Sequence, residues 1–291
     1  DNIEIINKKY KKKIHISEVN KQSNKIKKKI KKDFKLITKK KKFKGLNFLN
    51  FPILMGVINL TPDSFSDGGK FYNTNLAYKH CKELIRSGCK IIDIGGESTR
   101  PGSNEIKKKL EWKRIEPTLR KLKKLNKFIS LDTRKGWIMG KGIKYGVGMI
   151  NDISGLNYDP CSLNILKKYK IPFVINHIQG KPKTMQKNPK YKNVLLDVYD
   201  YFERKINEIR KLGIKHNNIL LDPGIGFGKN LKHNITLISN ISIFHSLGLP
   251  ILVGISRKRF IKDLSGNNDT KERIGGTVSS TLCGMMQGVQ I

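Results

Sequence analysis

Seven short apolar runs in this sequence each end in a residue that can ionise or hydrogen-bond. The end residues are Asn59; Asp93, followed by Glu97, Thr99 and Arg100; Asp132; Asn151 with Asp152; Asn176 with His177; Asp222; and Ser256, Arg257 and Lys258. Singly, each has a plain alternative, since a strand-end Asp or Asn often caps the next helix and a lone His is more often structural. Together they describe a polar site made by strand ends. Three loops add chemistry. Residues 59–69, NLTPDSFSDGG, are long and rich in Pro, Gly, Ser and Asp, which suits a lid carrying Phe65. Residues 95–102, GGESTRPG, combine glycines that let backbone approach a ligand with Thr99 and Arg100, which suits phosphate or pyrophosphate. Residues 222–230, DPGIGFGKN, look superficially like a nucleotide-binding loop. The spacing from Gly224 to Lys229 is one residue short, and Asn230 stands where Ser or Thr is needed. ATP binding is rejected on those grounds.

These residues must be positioned by regular elements. From Pro52 onward, short apolar runs alternate with helical patterns, the signature of repeated βα units and a parallel sheet. The strands fall near 53–58, 90–94, 128–131, 148–150, 172–175, 219–221 and 250–253, with an eighth beginning near Val289. Between them, Ala77, Cys81, Leu84 and Ile85, or Val194, Val198, Phe202, Ile206 and Ile209, recur at helical spacing and read as core faces. Eight positions favour an α/β fold of the TIM (β/α)8 barrel type, with a doubly wound open sheet as the alternative. In a barrel all strand ends open on one face, where active sites lie.

Residues 1–49 read as a basic extension and 50–291 as the barrel. The extension holds eighteen Lys and no Arg against four acidic residues. Ile26, Ile30, Phe34 and Ile37 suit one amphipathic helix docked on the barrel, and the charge run equally suits a solvated tail. The net charge of +36 is spread along the chain and joined by abundant Asn and Ile, so it does not read as a nucleic-acid footprint. Four cysteines without C-x-x-C pairing give neither a zinc site nor a disulfide framework and fit a reducing, cytoplasmic setting. No apolar stretch reaches the roughly 18 residues needed to span a bilayer.

The runs MGVINLTPDSFSDGG, DIGGESTRPG, ISLDT, INDISG, LLDPGIGFGK and VGISRKRFI, in this order, resemble the dihydropteroate synthase family of pterin-binding enzymes across nearly all of residues 52–288. The resemblance implies a transferase of folate synthesis that is the target of sulfonamides. It would condense 6-hydroxymethyl-7,8-dihydropterin pyrophosphate with p-aminobenzoate, with Mg²⁺ as cofactor. It implies pterin contacts from Asp132, Asn151, Ile153, Asp222, Phe227 and Lys258, and p-aminobenzoate contacts from Phe65, Thr99, Pro101, Phe227 and Ser256. Asn59, Thr99 and Arg100 would hold pyrophosphate, Asn59 the Mg²⁺, and Lys258, Arg100 and Asp67 would serve catalysis. It further implies pyrophosphate departure before attack by the amine, and a homodimer formed through outer helices. The family's eighth strand leads to an Arg-x-His pair that grips pyrophosphate, whereas this sequence stops at Ile291. The expectation is therefore a fragment with a truncated eighth βα unit, or else a pterin-binding paralogue with crippled catalysis.

Overall fold

The structure, a computed structural model, describes residues 2–41, 43–48, 52–61, 73–100, 102–180, 182–266 and 269–291. Six parallel strands form one sheet in chain order: β3 (Met55–Asn59), β4 (Ile91–Gly95), β5 (Phe128–Asp132), β6 (Met149–Asp152), β7 (Phe173–Asn176) and β8 (Ile219–Asp222). They alternate with helices α2 (Thr74–Arg86), α3 (Lys108–Leu122), α4 (Gly136–Lys144), α5 (Cys161–Tyr169), α6 (Val194–Lys211) and α7 (Leu231–Ser239), while α8 (Arg259–Ser265) and α9 (Ile274–Met286) follow the next strand position.

Backbone hydrogen bonds continue the sheet around to its start. Leu252 N donates to Leu221 O at 2.8 Å, Val253 N to Ile291 O at 3.0 Å, and Ile53 N to Gln290 O at 2.8 Å. Residues 250–253 and 289–291 thus occupy the seventh and eighth positions of the (β/α)8 barrel, as the sequence predicts. The seventh pairs too briefly to make a full strand, with an isolated bridge between Leu221 and Ile251 beside these bonds. Pro250 has no N–H to extend its ladder, and the chain turns away after Val253. The observed strands also run about one residue further than the apolar runs suggest, because the polar end residues still pair in the sheet.

Two apolar layers hold this arrangement. The outer one packs strand residues such as Ile58, Ile92, Ile94 and Leu131 against Ala77, Cys81, Trp112, Ile115, Leu119, Val198 and Phe202 of the helices. The inner one fills the barrel floor with Ile53, Ile91, Met149, Val174, Leu220, Leu252 and Ile291, and Phe43 joins it, with Leu46 and Phe48 packed alongside. Filling the lumen with branched side chains makes the barrel a packed core, not a pore.

The hairpin β1 (Asn2–Ile6) with β2 (Lys11–His15) and the helix α1 (Asn24–Thr38) precede the barrel. The expected helix therefore forms, and it lies on the outside of the barrel. Lys41 Nζ donates to His245 O at 3.3 Å, Lys29 pairs with Glu203 at 3.9 Å and Lys8 with Asp200 at 3.1 Å. Among the described residues, no helix is long and apolar enough to cross a membrane.

Candidate active site

The strand register sets the polar layer above the apolar floor. Val57, Asp93, Ser130 and Met149 share one row across β3 to β6, and Asn59, Gly95, Asp132 and Asn151 share the next inward-facing row. Asn176 and Asp222 pair one step further on. The intervening residues Ile58, Ile92 and Ile94 face the helices, so the residues of these rows face the lumen. Val57, although apolar, keeps 50% of its surface exposed, which marks open space at this level.

On one side of that space, Asn151 Nδ2 donates to Asp93 Oδ2 at 3.0 Å. Burial pushes the Asp93 carboxyl above its usual range. Asp132 is pushed well above it, by burial first and then by the negative charge of Asp93. A carboxyl that holds its proton more tightly can donate as well as accept, so this pair suits a ring edge bearing both N–H and bare nitrogen. Gly95 keeps Asp132 unobstructed, since a Cβ there would stand 3.2 Å from Asp132 Oδ2.

On the other side, Asp222 accepts from Gly224 N at 2.7 Å and from Asn176 Nδ2 at 3.2 Å. Burial raises its pKa, and the charge of Lys258 works against that rise. Burial lowers Lys258 to about 8 while Asp222 opposes the shift, so the two stabilise each other's charged forms. The Lys258 ammonium donates to Ile225 O and lies 4.3 Å from the centre of the Phe227 ring. The β8–α7 loop passes close beneath it because Gly226, at φ +81°, has no side chain: a Cβ would come within 2.9 Å of Lys258 Cδ. Asn230, which breaks the nucleotide-loop pattern, instead caps α7 by accepting from His233 N at 2.9 Å.

The expected residues do not all converge. Asp132, Asn151, Asp222, Phe227 and Lys258 line the lumen end, with Ile153 buried just beyond β6. Asn59 ends β3 in the same row as Asp132. Thr99 and Arg100 are half-buried after β4, and Ser256 is exposed beyond the seventh strand position. Phe65, Asp67 and Pro101 lie outside the described residues. Asp152 turns into its own loop, accepting from Ser154 N at 2.7 Å and Ser154 Oγ at 2.6 Å, which closes a local turn and caps no helix. His177 packs edge-on against Tyr201 and contacts Lys229, whose Nζ lies 3.0 Å from His177 Nδ1 and donates to Phe227 O at 3.0 Å. That contact is structural, holding the loop that carries Phe227.

One contributor carried no clear sequence signal, and one strand-end residue has a partner that the sequence does not show. Gln186 Nε2 donates to Gly226 O at 2.5 Å from a Lys-rich segment that reads as a plain surface loop. Asn176 bridges to Asp222, which only the β7–β8 register reveals. Among the described residues, no group of three or more His, Cys, Asp or Glu is placed to hold a metal ion.

Comparison with known proteins agrees with this geometry. The model of one protein family, Pterin binding enzyme, matches residues 55–291. Dihydropteroate synthase of Escherichia coli strain K12 is 41% identical over 244 residues, which cover 84% of this chain and 86% of that one. The structure of Yersinia pestis dihydropteroate synthase with a sulfonamide drug complex superposes with a TM-score of 0.82 at 38% identity, covering 86% of this chain and 90% of that one. Xanthomonas albilineans dihydropteroate synthase in complex with 7,8-dihydropteroate superposes with a TM-score of 0.75 at 32% identity, covering 84% and 87%. A lumen lined by paired acids and amides, on a barrel matched along most of its length, places the chain in the dihydropteroate synthase branch of the pterin-binding enzyme family.

Proposed function

We propose that this chain condenses 6-hydroxymethyl-7,8-dihydropterin pyrophosphate with p-aminobenzoate, giving 7,8-dihydropteroate and pyrophosphate in folate synthesis. The observation that carries the reading is the pairing of Asp93 with Asn151 and of Asp222 with Asn176 on opposite sides of one lumen, with Lys258 beside Asp222. A pterin has an amino-pyrimidinone edge with several N–H donors and ring nitrogens that accept. Asp132, Asn151 and Asp222 meet the donors, and Lys258 donates to an acceptor. The Phe227 ring gives the bicyclic system a flat neighbour.

In the reaction the C–O bond to pyrophosphate breaks and its electron pair leaves with the phosphate oxygen. The amine of p-aminobenzoate then forms the new C–N bond to the pterin methylene and releases a proton to water. Thr99 and Arg100 stand where the leaving group gathers negative charge, and Arg100 adds a fixed positive charge there. In this reading Ser256 meets the p-aminobenzoate carboxylate. Phe65, Asp67 and Pro101 complete the assignment by family resemblance. Asn59 fits a magnesium site shared with substrate: its amide oxygen is a hard donor at the rim, and its side chain makes no hydrogen bond to a described residue. Bound there, Mg²⁺ would neutralise pyrophosphate charge, its other ligands being phosphate oxygens and water.

A homodimer is part of the same reading. Ile274, Val278, Leu282 and Met286 recur every fourth residue along α9, each at least half exposed, and such a stripe favours burial against a second copy. Mass spectrometry of the mixture tests the activity. Dihydropteroate should form only when both substrates are present, and its absence would refute the assignment.

A further inference from the structure

Beside the lumen, buried charge gathers around residues that take no part in the proposed reaction. Glu97, Lys135 and Glu111 are 6%, 6% and 0% exposed. Lys135 Nζ bridges the two carboxylates, donating to Glu97 Oε1 at 2.8 Å and to Glu111 Oε2 at 2.5 Å. Thr133 Oγ1 donates to Glu111 at 2.6 Å, and Arg134 Nε donates to Glu97 Oε2 at 2.9 Å. Two buried carboxylates thus face the buried Lys135 and the partly buried Arg134.

What this set holds is a loop. The Ile106 N–H donates to Glu97 Oε1 at 2.9 Å, so the Glu97 side chain ties the loop that starts at its own residue to the point where that loop ends. Burial alone would push the Glu97 carboxyl up; the hydrogen bonds from Arg134, Lys135 and Ile106 outweigh it and hold the group below its usual value. A second clasp sits at the surface. Arg134 Nη2 lies 3.6 Å from Glu105 Oε2, the guanidinium lies 4.0 Å over the Tyr158 ring, and the Tyr158 hydroxyl donates to Glu105. The segment bearing Thr99 and Arg100 is therefore fastened from within through the turn after β5 and from outside through the loop after β6.

A buried ion-pair cluster adds little net stability compared with apolar side chains of the same volume. Placed at the root of a glycine-containing loop, it fixes one geometry for the groups the loop carries. We propose that Glu97 and Lys135 are positioning residues for the anion side of the site, holding Thr99 and Arg100 where the pyrophosphate sits. The inference rests on the assignment of those two residues under Proposed function.

Calorimetry on the full chain with Mg²⁺ present separates this role from a general structural one. The ligands are 6-hydroxymethylpterin pyrophosphate and 6-hydroxymethylpterin, which lacks the phosphates. Lys135→Met should weaken the first roughly ten- to hundredfold and leave the second within about twofold. Glu105→Ala, at a side chain 55% exposed and so safe for folding, should weaken the first about threefold and spare the second. Equal weakening of both ligands, or no change in Glu105→Ala when Lys135→Met fails to fold, would overturn the inference. Failure of the unmutated chain to prefer the pyrophosphate ligand would instead overturn the assignment of Thr99 and Arg100 beneath it.

Discussion

At the scale of single residues, Lys258 carries the most testable chemistry. Its ammonium, lowered by burial to about 8, must stay protonated to donate to a pterin acceptor, so kcat/KM should fall as pH rises through about 8. Stability should move the other way. Between about 8 and the ordinary lysine value of 10.5 the unfolded chain binds a proton that the folded chain has released, so this group makes the fold more stable as pH climbs through that window. A pH–rate profile beside urea midpoints at the same pH values would reveal the opposed trends; parallel trends would remove Lys258 from the donor role. Lys258→Ala should lower kcat/KM by on the order of a thousandfold, and calorimetry should trace the loss to weaker pterin binding. Asp132, Asn151, Asp222 and Lys258 were legible in the sequence because each follows an apolar run, and the resemblance gave them a common ligand. The partners of two of them were not legible. Asn151 reaches Asp93, and Asn176 reaches Asp222, through sheet register, which links residues 58 and 46 positions apart.

At the scale of elements, the βα rhythm was readable wherever a strand carried a full apolar run, and blurred where Pro250 and the short eighth position left few ladder bonds. The amphipathic helices are legible in the sequence because one face of each meets the same outer layer. The β8–α7 loop is less forgiving than its composition suggests. Gly224, at φ +70°, would place a Cβ 2.0 Å from His177 O. Gly224→Ala should therefore destabilise the fold by at least about 1–3 kcal/mol and shift the loop that carries Phe227, which a urea titration would measure. At the opposite end of the barrel, Phe43 is 5% exposed within the floor cluster. Phe43→Ala should cost about 3 kcal/mol in the same titration while leaving kcat unchanged in the folded fraction, because the floor lies below the polar layer.

At the scale of the whole molecule, the basic extension docks on the side of the barrel through Lys8, Lys29 and Lys41 and fills its floor with Phe43. The apolar stripe of α9 bears on assembly. Val278→Glu should convert a dimer to a monomer in sedimentation velocity, whereas an unchanged profile would place any dimer contact elsewhere. The central claim is chemical: the lumen binds a pterin, and its rim releases pyrophosphate as an aromatic amine attacks. The direct test is pyrophosphate release by the purified chain supplied with Mg²⁺, dihydropterin pyrophosphate and p-aminobenzoate. Release should require both substrates, match dihydropteroate one for one, and be competed by a sulfonamide against p-aminobenzoate. Release that is indifferent to p-aminobenzoate, or no release with both substrates bound, would contradict the claim.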